Sequence, residues 1–100
     1  MRRAPLFRLL EVALAVPALA DDRSRHMIVQ LLPADVSRSV QRYQAARYDV
    51  WAILRTCSNY PDGLAGLLDV VRAVEGDSVP VRRLADDIAE LRPESGTGAA

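Results

Sequence analysis

His26 and Cys57 are the only histidine and the only cysteine in this 100-residue chain, and they set the ceiling on the chemistry it can do. Two such residues do not make the spaced ligand set that a zinc site needs, so no metal is expected. A cysteine near a histidine can act as nucleophile and base. Here Cys57 falls on the apolar stripe of a helix, where a thiol packs as a small, inert hydrophobe. Ser24, Ser37, Ser39, Ser58 and Ser78 lie in no nucleophile turn, and no glycine-rich phosphate loop occurs. The paired acids Asp21-Asp22 and Asp86-Asp87 read as helix caps or solvated faces. The expectation is a protein that is not an enzyme and carries no cofactor.

What remains is the chemistry of binding. Trp51 lies between Arg47 and Arg55, one helical turn from each, and an aromatic flanked by guanidinium groups is favoured in binding hot spots. The same tryptophan could instead serve a second packing contact of a central helix. Tyr60, Glu75 and Asp77, which flank turns, are further candidates for protein interaction. Arg82 and Arg83 precede Asp86, Asp87 and Glu90 in one helix, an order opposed to the helix dipole. The i, i+4 pairs Arg82 with Asp86 and Arg83 with Asp87 are expected to offset part of that opposition, in the weaker orientation. These charges either serve a partner or form an ordinary solvated face.

Those residues must be positioned by helices. Half the chain is hydrophobic, only five residues are aromatic, and the apolar residues are mostly Leu, Val and Ala, a composition that favours helix over strand. One hundred residues suffice for one core. The net charge is zero, which argues against a nucleic-acid partner, since a phosphate backbone is met by clustered positive charge. Residues 1–55 nevertheless hold nine Arg against five acids, and residues 56–100 four Arg against eight acids. A helix-turn-helix-like DNA-binding domain, with Arg on the fourth helix, is the alternative reading. The lone cysteine excludes an internal disulfide and fits a reducing, cytoplasmic setting.

The first 22 residues, MRRAPLFRLLEVALAVPALADD, imitate a secretory signal with a cleavage site after Ala20. Cleavage there would leave a secreted helical protein. Against this, Arg8 and Glu11 interrupt the apolar stretch, and its longest uncharged run, Val12 to Ala20, is about half a membrane span. Leu6, Leu10, Ala13 and Leu14, with Leu9 beside them, follow a helical period, so a first helix is expected, stopped by Pro17.

A second helix, capped by Asp21 or Asp22, should run to about Leu32 with Met27, Ile28, Leu31 and Ser24 facing inward, and end before Pro33. A short third helix runs to about Val40, with Val36 and Val40 one turn apart. The fourth carries Ala46, Val50, Ile53, Leu54 and Cys57 on one stripe. The turn Asn59-Tyr60-Pro61-Asp62-Gly63 leads into a fifth, with Pro61 at its first position and Leu64, Leu67, Leu68, Val71 and Val74 on one face. Gly76 ends it, Asp77-Ser78 caps the sixth, and Val81, Leu84, Ala85, Ile88 and Leu91 are buried by the sixth before Pro93 stops it. The expected fold is all-α, a compact bundle of five to six short helices over residues 1–92, with 93–100 a flexible tail or the start of a linker.

The ordered set Arg47, Asp49, Val50, Trp51, Ile53, Cys57, Tyr60, Pro61, Gly63, Leu64, Leu67, Glu75, Gly76, Asp77 and Ser78 resembles the type-two effector-associated domain, a helical adaptor of bacterial, often actinobacterial, conflict and signalling systems. The likeness continues from Pro17 through Arg25 to Leu32-Pro33 and covers about residues 4–92. It implies a death-like bundle that associates like with like, joining an effector to its regulator. Its partners would be proteins with a similar domain, or a second copy of itself, with no nucleic acid and no membrane. No effector is visible in these residues.

Overall fold

Val50, Ile53, Leu54 and Cys57 are fully buried, as are Leu67 and Val71 on the next helix and Val81 and Leu84 on the last. Their spacing of three and four residues is the stripe a helix must hide from water, and packing three such stripes together makes the centre of the molecule. A computed structural model describes residues 3–91, with side chains from Leu6 onward. Over that range the chain is all-α: α1 (Arg3–Leu14), α2 (Pro17–Ala20), α3 (Asp22–Leu31), α4 (Ala34–Ser39), α5 (Ala46–Ser58), α6 (Gly63–Glu75) and α7 (Val79–Leu91). The expected stop at Pro93 and the tail over 93–100 lie outside the described residues.

The helix beyond the expected five to six is the four-residue α2. Pro17 does not simply end the first helix. That helix stops at Leu14, and Pro17 opens a new turn, where its missing amide proton is not needed. Across the molecule, Glu75 Oε1 accepts the Ala18 amide at 3.0 Å and so satisfies a free donor of that turn.

The inward face of α3 also differs from the expected one. Met27 and Leu31 are about half exposed, whereas Arg25, Ile28, Val29 and Leu32 are buried. The apolar pattern misplaces this face because an arginine occupies one of its inward positions, and a charged side chain is read as outward by default. Asp21 caps α3, accepting the Ser24 amide at 2.9 Å. That bond holds its carboxyl below the usual range.

Pro61 is not the first residue of α6; the helix begins at Gly63, after Asp62 in a left-handed conformation at φ 58°. Gly63 is there for room. A Cβ at this position would lie 1.9 Å from the Cys57 carbonyl oxygen, so α5 and the start of α6 can meet only across a glycine. Gly76, at φ 92°, ends α6 by donating its amide to the Arg72 carbonyl at 2.8 Å. Ser78 Oγ then accepts the Val81 amide at 3.4 Å to start α7.

Four long helices form a ring. α1 packs on both α5 and α7, α6 packs on the same two, and α5 and α7 face each other diagonally without a substantial contact. α2 and α3 pack against α6, and α4 bridges α3 to α5. Leu9, Ala13, Val16 and Leu19 are fully buried, so the signal-like residues are core material, and a cut after Ala20 would remove them. No helix among the described residues is long and apolar enough to cross a membrane. The buried hydrophobic residues are Leu, Ile, Val, Ala and Cys57, and none is aromatic.

Candidate protein-interaction surface

Five aromatic residues and an aromatic-free core raise the question of where the rings are. Phe7 on α1 stacks on Trp51 of α5, with centroids 5.1 Å apart and planes 14° from parallel. Tyr43, in the segment before α5, meets Tyr48 edge to face at 6.4 Å. Tyr43, Tyr48 and Trp51 line one open groove of about 430 Å³, together with Ser39, Gln41, Arg55 and the neighbouring α5 positions. Phe7, Tyr43 and Tyr48 are each about half exposed or more, Tyr48 reaching 65%. Four of the five aromatics therefore gather on one face. Arg55 is the one charged residue of the groove, so its lining is basic.

The wall that carries Gln41 and Tyr43 has no helix to hold it, and a buried ion cluster takes that part. Asp49, fully buried on α5, accepts the Tyr43 amide at 2.9 Å. The same carboxylate accepts Arg42 Nε at 2.9 Å and Nη2 at 2.7 Å, and Arg25 Nε at 2.6 Å from α3. Arg25, only 2% exposed, also donates to the Leu19 and Ala20 carbonyls and to Asp22. Burial alone would raise the Asp49 carboxyl, but the hydrogen bonds from Arg42, the Tyr43 amide and Arg25 outweigh it and hold the group at about 2. Arg42 Nη1 lies 3.2 Å from His26 Nδ1 at the edge of this cluster.

The residues singled out from the sequence fall into different places. Trp51 and Arg55 come together in the groove, and Trp51 makes its second packing contact there, through Phe7. Arg47 points to α1, pairing with Glu11 at 2.5 Å. Tyr60 is an internal latch: its hydroxyl lies 2.7 Å from Ser39 Oγ and donates to the Asp35 carbonyl at 3.2 Å, tying down the end of α4. Glu75 caps α2, as above.

Arg82 does not pair with Asp86. It turns back to Asp77 at 3.3 Å, because a carboxylate just ahead of α7 is within reach and favoured at that helix end. Nor does Arg83 pair with Asp87. Arg83 is exposed beside the α1–α7 cleft, whereas Asp87 is half-buried, with an Oδ2 that has no partner among the described residues. Asp86 is exposed. Sequence reasoning did not single out Phe7, Tyr43 or Tyr48 for binding. For Tyr48 a signal was available, since it falls on the side of α5 opposite the apolar stripe; Phe7 falls beside Leu14 at the edge of the α1 stripe and reads as packing.

Cys57 is fully buried, and burial pushes its thiol up to about 12. Among the described residues no His, Cys, Asp or Glu cluster is arranged to hold a metal ion.

Fold and surface define a small all-α domain with an aliphatic interior and an aromatic exterior face. The family model of effector-associated domain 2 matches residues 10–89, and the chain belongs to that family. No curated protein and no solved structure matches it.

Proposed function

We propose that this domain is a cytoplasmic adaptor that recruits an effector to its regulator by pairing with similar domains in a bacterial conflict or signalling system. The observation that carries this reading is that Tyr43, Tyr48 and Trp51 line one open groove with Arg55, and Phe7 stacks on Trp51 beside it. Surface rings that share a groove with a guanidinium suit a protein interface, where tyrosine, tryptophan and arginine supply most hot spots. Phe7, Tyr43 and Tyr48 are exposed, and Trp51 is partly buried with its inner side packed on the core. Family membership supports the adaptor role.

The test is calorimetric titration of the full chain against other effector-associated domains from the same genome. A saturable complex is expected with at least one of them. Trp51→Ala and Tyr48→Ala should each weaken it by roughly thirtyfold, the scale of a hot-spot residue. Affinity unchanged in both variants, with helicity intact, would remove the groove from the mechanism.

A further inference from the structure

Asp86 and Glu90 are exposed on the carboxyl-terminal half of α7, and neither has an ion pair among the described residues. Asp87 beside them leaves one buried oxygen without a partner. Three carboxylates in the later turns of a helix are opposed by its dipole, and Arg82, one turn before Asp86, pairs with Asp77 instead. On the other side of the molecule, Arg55 in the α5 groove has no carboxylate partner among the described residues. Among the described residues, a basic groove and an acidic helix face thus stand without ion-pair partners. α5 and α7 are not neighbours in the helix ring, and no ion pair joins Arg55 to Asp86 or Glu90 within one copy.

We propose that the α5 groove receives the acidic half of α7 from a second copy of this chain, in a head-to-tail contact that rests on the groove being a protein-binding site. Arg55 meets Asp86 and Glu90, and the exposed Ala89 lets the helix backbone approach Tyr48 and Trp51 without a bulky side chain between. The two contact surfaces are different, so each added copy presents a fresh groove and a fresh α7. Such an interface extends into rings or filaments and does not close as a symmetric dimer.

The experiment is sedimentation velocity on the full chain and two charge-reversed variants, Arg55→Glu and Asp86→Arg/Glu90→Arg, alone and mixed. Wild type should form oligomers at low salt that dissociate as ionic strength rises from about 0.01 M to about 1 M, over which the screening length falls from ~30 Å to ~3 Å. Each variant alone should be monomeric, with its apparent dissociation constant raised at least about tenfold. Their equimolar mixture should oligomerise again with the two variants alternating, since the native groove of one meets the native helix of the other and the reversed groove meets the reversed helix. The triple variant with both reversals in one chain should oligomerise again. Circular dichroism confirms folding, and Tyr48→Ala replaces Arg55→Glu if that variant fails to fold.

Wild type that oligomerises while both reversed variants do so equally well would overturn this contact yet leave the adaptor reading intact. A wild type that stays monomeric at low salt and high concentration would overturn pairing with a second copy. Loss of groove-dependent binding to every related domain in the calorimetric test would instead remove the reading on which this contact rests.

Discussion

Replacing Asp49 by Asn tests whether the buried ion cluster holds the groove wall in place. The change keeps the shape of the side chain, removes its charge, and puts an amide donor where guanidinium or main-chain donors now point. Arg25, only 2% exposed, would keep its charge with its closest anion gone, and Arg42 would keep at most one of its two bonds to that group, since the amide retains a single acceptor oxygen. Breaking a buried pair by removing one member costs about 3–5 kcal/mol. For a domain of this size 1 kcal/mol is worth ~4–8 °C in melting temperature, so a fall of roughly 12–40 °C is expected. The measurement is thermal unfolding followed by circular dichroism at pH 7. The same stabilisation depends on pH. The folded state holds the carboxyl at about 2, below the ordinary 3.8, so its contribution is complete above pH ~4 and disappears as pH falls through about 2. Wild type should lose stability across that window, and the Asn variant should lose less. Replacing the buried pair together, as Arg25→Met/Asp49→Leu, should be milder than Asp49→Asn alone, because no buried charge is orphaned. A melting temperature lowered by less than about 5 °C in Asp49→Asn would refute the assignment of Asp49 as the anchor of this cluster.

Two further outcomes follow from the packing. Gly63→Ala should destabilise the domain by about 1–3 kcal/mol, measured by urea denaturation, since its Cβ would fall 1.9 Å from the Cys57 carbonyl oxygen and α5 would have to shift; an unchanged midpoint would mean that the turn relaxes freely. Cys57, buried and with its thiol pushed up to about 12, should resist a chromogenic disulfide reagent at pH 8 in the native state and react fully in denaturant. Rapid labelling of the folded protein would show that the centre of α5 opens.

The stripes of α5, α6 and α7 were legible because aliphatic side chains at steps of three and four report directly on the buried face. Asp21, Gly76 and Ser78 were legible for a related reason: each serves the backbone a few residues away, and the sequence holds both halves of the contact. The inward face of α3 was not, because Arg25 is buried only in virtue of Asp49, 24 residues further along. Glu75 capping α2 is the same problem at a separation of 57 residues. Gly63 looked like a turn glycine and is also a steric requirement, which depends on where the end of α5 lies. In the groove, Trp51 and Arg55 were found by spacing on one helix. Tyr43 joins them from the segment before α5 and Phe7 stacks on Trp51 from α1, contacts that no local pattern encodes.

An interior made of aliphatic side chains alone has a spectroscopic consequence. The single tryptophan of the chain is Trp51, stacked on Phe7 at the rim of the groove and away from the centre of the bundle. Its emission therefore reports on the groove, while the fully buried interior holds no indole. The molecule carries one tryptophan, placed to register the arrival of a partner at the proposed docking face.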